Sequence, residues 1–76
     1  MTKPSNNPIN PEKLLLSKWT AVIPHNKEKH FLVSGVIRNE QQTVVFCILE
    51  AVINHREYEL NWQRLKDAAN WLPGWR

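Results

Sequence analysis

Residues 43–53, TVVFCILEAVI, form the longest near-continuous apolar run of the chain. The run is rich in β-branched and aromatic residues, which is typical of a strand buried on both faces of a sheet. The segments before and after it must therefore cover one face or the other. Its odd positions from Val45 to Ala51 are apolar throughout. Its even positions are apolar only until Glu50, so we expect one face to meet water there.

Three further segments have strand character and are joined by short polar connections, which predicts an antiparallel meander with strand order 1-2-3-4. The four predicted strands cover residues 17–24, 30–38, 43–53 and 56–60. A charged loop, residues 25–29, precedes the second strand, and a two-residue turn, Asn54-His55, precedes the fourth. If the sheet twists strongly, it has the alternative of curling into a partly open barrel.

A C-terminal helix is predicted over residues 62–71, with Asn61 as its N-cap and Pro73-Gly74 as its end. Its apolar positions recur at helical spacing and share one face: Trp62, Leu65, Ala69 and Leu72. Asn10, followed by Pro11 and Glu12, predicts a short N-terminal turn or helix. The predicted fold class is therefore α+β, a four-stranded sheet with the C-terminal helix packed on one face.

The loop lengths also predict which residues lie opposite each other in the sheet. A four-residue connection between the second and third strands places Val36 opposite Val45. A tight turn at Asn54-His55 places Glu50 opposite Glu59. Residues 45, 47, 49 and 51 then belong under the C-terminal helix.

The size of the chain, 76 residues, fits a single domain. We predict a flexible lead over residues 1–9 and a folded domain over residues 10–76, with the alternative that order begins at Asn7. Cys47 is the single cysteine, so no disulfide can form within the chain, and a reducing cytoplasm is the expected location. We expect no signal peptide and no association with a membrane, because the N-terminus is polar and the apolar runs are short.

The formal net charge of +3 is concentrated in the first half of the chain. Residues 1–38 hold six Lys/Arg and two acidic residues, whereas residues 39–76 hold four and five. A basic half can attract polyanions, so weak binding of single-stranded nucleic acid is one hypothesis; a solvated loop surface is the other reading. The basic residues concerned are Lys18, Lys27, Lys29, His30 and Arg38.

Residues with catalytic or metal-binding chemistry are present, but their spacing favours structural roles. Glu57 shares a face with the predicted Glu50–Glu59 pair, which could raise a pKa or bind a cation, or lie at a wet corner of the sheet. The histidines, His25, His30 and His55, do not have zinc-site spacing. We expect Cys47 to be a small buried apolar residue. No catalytic residue, metal ligand, cofactor or small-molecule ligand is predicted, and the protein is not expected to be an enzyme.

Four tryptophans are unusual in so small a chain. Trp19 and Trp62 fall on predicted core faces. Trp71 and Trp75 lie near two arginines, and exposed tryptophan beside arginine suits contact with a protein partner or stacking on bases. The alternative is that residues 71–75, WLPGW, fold back onto the edge or core of the sheet. The possible partner-binding residues are Trp71, Trp75, Arg64, Arg76, Lys27, Lys29 and Arg38.

Two segments resemble a known family. Residues 7–33, NPINPEKLLLSKWTAVIPHNKEKHFLV, and residues 57–76, EYELNWQRLKDAANWLPGWR, are similar to small tryptophan-rich bacterial proteins classed as a domain of unknown function. The resemblance implies a small, soluble, stand-alone protein whose N-terminal arm is ordered from Asn7. It brings no activity, ligand or catalytic residue.

The functional expectation is a small non-enzymatic binding or adaptor module for a protein partner. The alternative is weak binding of single-stranded nucleic acid through the basic N-terminal half. We expect a monomer or a weak dimer.

Overall fold

The computed structural model describes residues 6–76, which form one antiparallel sheet with strand order β4-β3-β2-β1-β5. The strands are β1 (Lys18–His25), β2 (Glu28–Arg38), β3 (Val44–Ala51), β4 (Glu57–Asn61) and β5 (Trp71–Pro73). Two 3-10 turns, Pro11–Lys13 and Trp62–Lys66, complete the secondary structure of this part of the chain. No helix within residues 6–76 is long and apolar enough to cross a membrane.

The predicted α+β fold class is wrong, because the C-terminal helix is absent from the described chain. Residues 62–66 make a single 3-10 turn, and the chain then pairs with the free edge of β1 as β5. The Asp67 carboxylate accepts hydrogen bonds from the backbone N–H of Ala69 and the side chain of Asn70. Such local bonding competes with helix, and a ten-residue helix is marginal by itself. The barrel alternative is also wrong, since the two edges of the sheet do not meet.

The four predicted strands lie side by side in the predicted order, but their register differs. Ser34 is an extra residue in β2, a bulge between the pairs Val33–Leu49 and Gly35–Ile48. A second bulge lies in β3, where Val45 is the extra residue between the pairs Ile37–Phe46 and Arg38–Val44, so Val36 lies opposite Cys47 and not opposite Val45. The connection between β3 and β4 spans residues 52–56, which is longer than the predicted turn, so the pairing of these strands shifts by two residues.

The sheet has an inner face, which carries the core, and an outer face. Cross-strand rows such as Trp19–Phe31–Ala51 and Val36–Cys47–Leu60 point inward. They are covered by the second 3-10 turn and by the segment around Leu14. The buried apolar residues are Leu14, Trp19, Phe31, Val33, Val44, Cys47, Leu49, Ala51, Trp62 and Leu65. The predictions that Trp19, Cys47 and Trp62 are buried are confirmed.

Asn7 ties the N-terminal segment to the C-terminal half of the chain. Its side-chain amide donates to the backbone carbonyls of Leu65 and Trp71, both at 2.8 Å, and its backbone N–H donates to Lys66 O at 2.8 Å. Only 7% of Asn7 is exposed, although it falls within the predicted flexible lead of residues 1–9. Residues 1–5 of that lead lie outside the described residues.

Gly74 carries the chain from the edge of the sheet to its outer face. Its φ of 81° is in the left-handed region that favours glycine. Its N–H donates to Lys18 O at 2.7 Å, and its carbonyl accepts from the hydroxyl of Thr20 at 2.7 Å. Trp75 is thereby placed on the opposite side of the sheet from Trp71.

The β1–β2 connection is a two-residue turn, where the sequence predicted a five-residue loop. His25 pairs with Glu28, and the two residues between them, Asn26 and Lys27, have φ angles of 56° and 63°. Two successive positive φ angles define a type I′ turn, whose twist matches that of the flanking strands. Asn tolerates this conformation, whereas it is strained for Lys.

Asn7→Ala is expected to lower the free energy of unfolding by about 1–3 kcal/mol, because two buried carbonyls lose their donor. Urea denaturation followed by tryptophan fluorescence measures the change. Its exposed neighbour Asn6 provides the control. The bridge between Asn6 and Asp67 uses only backbone atoms, so Asn6→Ala retains it. Equal stability of the two variants would show that Asn7 does not anchor the N-terminal segment.

Lys27→Gly is expected to raise the free energy of unfolding by about 1 kcal/mol, because glycine removes the strain of a positive φ in the type I′ turn. The matched control is Lys29→Gly within β2, where glycine weakens a strand and stability should fall. Thermal or urea unfolding of both variants gives the comparison. A destabilised Lys27→Gly protein would contradict the turn assignment.

Candidate functional site

An open cleft of about 720 Å³ lies on the inner face, at the end of the sheet nearest the β1–β2 turn. Its floor is the part of the inner face that carries Phe31, Leu49, Tyr58 and Leu60. The remaining lining residues come from β1 and the turn after it, and from the segment that leads into β5: Ala21, Ile23, His25, Asn26, Glu28, Arg64, Asp67, Asn70 and Trp71.

The cleft exists because the covering layer is shorter than the sheet. The second 3-10 turn seals the half of the inner face around Val44 and Cys47, where the indole N–H of Trp62 donates to Val44 O at 3.0 Å. After Asp67 the chain turns back to the β1 edge, where Val22 donates its backbone N–H to Asn70 O. The half of the inner face nearest the β1–β2 turn is left without a covering segment among residues 6–76.

Three aromatic rings give the cleft its shape. The centroids of Phe31 and Trp71 are 5.3 Å apart with their planes at 79°, and those of Phe31 and Tyr58 are 6.3 Å apart at 65°. Edge-to-face contacts of this kind are favourable beyond simple burial. Phe31 is buried, whereas Trp71 is half-buried and Tyr58 is exposed. The rings therefore form a firm apolar floor with an accessible rim.

Glu28 closes one end of the cleft and is bonded on both carboxylate oxygens. The Tyr58 hydroxyl donates to one oxygen at 2.6 Å, and the Asn54 side-chain amide donates to the other at 2.8 Å. These hydrogen bonds, with a smaller contribution from the nearby charge of Arg56, hold the pKa of Glu28 below its usual range, although burial acts in the opposite direction. The carboxylate in turn raises the pKa of Tyr58, and burial of the phenol adds to that effect. Only 5% of Glu28 is exposed. Its two hydrogen bonds join β2 to β4 and to the β3–β4 connection.

The opposite rim of the cleft carries the cation Arg64 and the anion Asp67. The Asp67 carboxylate is occupied by its local bonds to Ala69 and Asn70. Arg64 makes no ion pair with any of the residues that the structure describes, and it lies on the exposed side of the second 3-10 turn. Its guanidinium is therefore available to an incoming carboxylate or phosphate.

The structure separates the two tryptophan–arginine pairs that the sequence grouped together. Trp71 and Arg64 both line the cleft. Trp75 lies on the outer face, where its indole N–H donates to Phe31 O at 2.9 Å and Lys18 Nζ lies 4.7 Å from the ring centroid. Arg76 is on that same face, with its backbone N–H donating to the hydroxyl of Thr20. Residues 71–75 fold back onto the sheet edge, as the alternative interpretation of WLPGW expected.

The three remaining predicted binding residues lie at opposite ends of β2. Lys27 and Lys29 are exposed at the β1–β2 turn, near the cleft. Arg38 is about 30 Å away along the strand. Its guanidinium binds both oxygens of Glu12, at 2.9 and 3.2 Å, and this pairing holds the pKa of Glu12 below its usual range. The basic residues of the first half therefore do not form one continuous surface.

The predicted Glu50–Glu59 opposition is wrong, because Glu50 lies opposite Glu57 on the outer face, away from the cleft. His55 contacts the Glu50 carboxylate, with 2.7 Å between Nδ1 and Oε2. Residues 6–76 contain no group of three or more His, Cys, Asp or Glu side chains that could hold a metal ion. Burial raises the pKa of the Cys47 thiol to about 11, so the thiol is protonated at neutral pH.

Sequence reasoning did not identify Glu28, Tyr58 or Phe31 as parts of one site. Each had an ordinary sequence interpretation: a loop acid, a strand tyrosine and a strand phenylalanine. The nearest signal in the sequence is that Glu28 follows Asn26 by two residues. This spacing is typical of a hairpin in which an acid that accepts hydrogen bonds comes directly after the turn.

Glu28→Gln is expected to flatten the dependence of stability on pH in the acid range. Because the folded-state pKa of Glu28 is lowered, its contribution is present above the unfolded-state pKa and is lost as the pH falls through the folded-state value. Urea unfolding between pH 7 and pH 3 measures the slope for the wild type and the variant. Glu59→Gln, which removes an exposed carboxyl outside this network, is the control. Identical slopes for wild type and Glu28→Gln would contradict the assignment.

Comparison with known proteins identifies the family. Neither a curated protein nor a solved structure matches the chain. A family model described as "Tryptophan-rich protein (DUF2389)" matches residues 17–76, which include all five strands and every residue that lines the cleft. This match confirms the resemblance seen in the sequence. The chain therefore belongs to DUF2389, the family of tryptophan-rich proteins that is a domain of unknown function.

Proposed function

We propose that the protein is a non-enzymatic binding module whose inner-face cleft takes an apolar side chain and an adjacent carboxylate from a protein partner. The observation that carries this proposal is the combination of an open aromatic floor with Arg64 on its rim, which makes no ion pair with residues 6–76. Aromatic side chains and arginine are the residue types that contribute most to binding at protein interfaces. A cleft of about 720 Å³ has room for one or two large side chains of a partner.

The state of Glu28 favours binding over catalysis. Both of its oxygens are held by hydrogen bonds, and its lowered pKa keeps it ionised near neutral pH. A general acid needs a raised pKa and a free proton. Glu28 has neither, so its role is to keep Tyr58 and the β3–β4 connection in position around the cleft.

A protein partner suits the cleft better than a single-stranded nucleic acid does. Stacking on successive bases needs several exposed ring faces beside a continuous basic groove. In the cleft, Phe31 is buried and makes an edge-to-face contact with Trp71, and Arg38 lies far away and is paired with Glu12. A cytoplasmic location is part of the proposal, because the buried free thiol of Cys47 suits a reducing compartment.

Arg64→Glu is expected to weaken binding of acidic–aromatic peptides about tenfold or more, because it places a like charge beside the peptide carboxylate. Peptides are selected from a displayed random library with the wild-type protein, and their affinities are measured by the change in tryptophan fluorescence. Lys66→Glu is the matched control, since it makes the same charge change in the same 3-10 turn at a residue outside the cleft.

Further measurements locate the binding site on the protein and identify the class of ligand. Amide chemical shifts should change around Phe31, Tyr58 and Trp71 when peptide is added, and Trp75→Phe on the outer face should leave the affinity unchanged. A single-stranded DNA oligomer is the comparison ligand, with Lys27→Glu/Lys29→Glu as its test variant. Selection of peptides without a shared acidic–aromatic pattern would contradict the proposal, and so would equal losses for Arg64→Glu and Lys66→Glu. Tighter binding of DNA than of any peptide would favour the nucleic-acid alternative.

A further inference from the structure

The outer face of the sheet carries apolar side chains that stay exposed among the described residues, 6–76. Ile37 lies opposite Phe46, and Gly35 lies opposite Ile48 in the next outward-facing row. The exposed fractions of Ile37 and Phe46 are 38% and 37%. A sheet with one solvated face normally presents polar side chains there. Contiguous exposed apolar side chains are a mark of an interaction surface.

Charges of opposite sign border this apolar surface. On the β4 side, Glu57 lies directly opposite Glu50, and Glu59 lies on the same face. Like charges in directly opposite positions are unfavourable, and Glu50 already contacts His55, so Glu57 is the acid that should gain from a facing cation. On the β1 side lie Lys18 and, bonded over Thr20, Arg76.

One cross-strand row displays the whole pattern. It runs Lys18–Leu32–Glu50–Glu57 from β1 to β4, so it begins with a cation, passes an apolar residue and ends with two acids. A second copy, turned over and reversed across its strands, would place Lys18 on Glu57 at both ends of this row and Leu32 on Glu50 in its middle. The outer face is therefore self-complementary at its two borders.

We propose that the outer face binds a second copy of this chain, face to face, and forms a symmetric dimer. A two-fold axis between the sheets and parallel to the strands lays β1 of one protomer over β4 of its partner. Lys18 of each protomer then faces Glu57 of the other, and Ile37 of each protomer faces Phe46 of the other. The result is a two-layer β-sandwich in which each protomer contributes one sheet.

The available area and one aromatic residue are consistent with a reversible dimer. The four strands that overlap, β1 to β4, are about 4.8 Å apart and 8, 11, 8 and 5 residues long, which gives roughly 500 Å² per protomer. The total of roughly 1,000 Å² is small for a protein interface and fits a weak, reversible dimer. Trp75 is 45% exposed and is held against the sheet by its bond to Phe31 O, so it is a pre-positioned aromatic anchor at the β1 side.

The test uses two charge-reversal variants. Each variant alone is expected to lose self-association, and the two together are expected to form a dimer with one another. Lys18→Glu places an acid opposite Glu57 of the partner, and Glu57→Lys/Glu59→Lys places a base opposite Lys18 of the partner. Sedimentation velocity between about 5 and 500 µM should show a concentration-dependent dimer for the wild type and at least about tenfold weaker association for each variant alone. Mixing the two variants in equal amounts should restore a dimer, because the charges that face each other at positions 18 and 57 are then opposite.

Controls separate this surface from the cleft and from loss of fold. Circular dichroism and thermal unfolding of each variant establish that the sheet is intact. Arg64→Glu, a charge reversal on the inner side, should leave dimerisation unchanged, and raising the salt concentration should weaken it. A wild-type protein that stays monomeric over the whole range would overturn the proposal. So would a mixture of the two variants that associates no better than either one alone. Neither result bears on peptide binding at the cleft.

Discussion

A single sheet has two faces, and within residues 6–76 the segments outside the sheet are sufficient to cover only part of them. The covering layer consists of one 3-10 turn and a short N-terminal segment, and together they bury the inner face around Val33, Cys47 and Leu49. The molecule is accordingly thin, with its shortest extent at 15 Å over the described residues. The cleft at one end of the inner face and the apolar outer face both follow from this shortage of covering structure.

Contacts between distant parts of the chain hold the thin covering layer in place. Asn7 reaches the carbonyls of Leu65 and Trp71, which are 58 and 64 residues away in sequence. The β5 strand then closes the β1 edge that would otherwise be open to pairing with another chain. An asparagine suits this position because its amide offers two donors to two buried carbonyls, and neither an aspartate nor a leucine could do so.

The aromatic cleft and the outer face lie on opposite sides of the same sheet, so ligand binding and self-association need not compete. The tryptophans are divided among these surfaces: Trp19 and Trp62 are in the core, Trp71 is in the cleft and Trp75 is on the outer face. A high tryptophan content is therefore explained by three separate structural demands. In the core and on the outer face, the indole N–H also reaches a nearby acceptor, as it does in Trp19, Trp62 and Trp75.

The sequence by itself determined the first four strands and three of the β3 side chains that enter the core. Alternation of apolar residues depends only on the two-residue period of a strand, so Cys47, Leu49 and Ala51 could be assigned to one buried face without the structure. The burial of Trp19 could be predicted from its place in a strand, and that of Trp62 from an apolar spacing that predicted a helix but belongs to a 3-10 turn. The spacing of apolar residues is sufficient to predict burial wherever the orientation of a side chain depends on its neighbours in the sequence.

Only the tertiary structure decided the register, the fate of the C-terminal segment and the site. The Ser34 bulge cannot be read from residue types, yet it determines that Phe31 and Val33 point inward in place of Leu32. Residues 62–73 have helical spacing, but the open edge of β1 offers backbone partners that a marginal helix cannot outweigh. Glu28, Tyr58 and Trp71 meet because three separate connections converge at one end of the sheet. These outcomes depend on contacts between residues far apart in the chain, which local propensity does not encode.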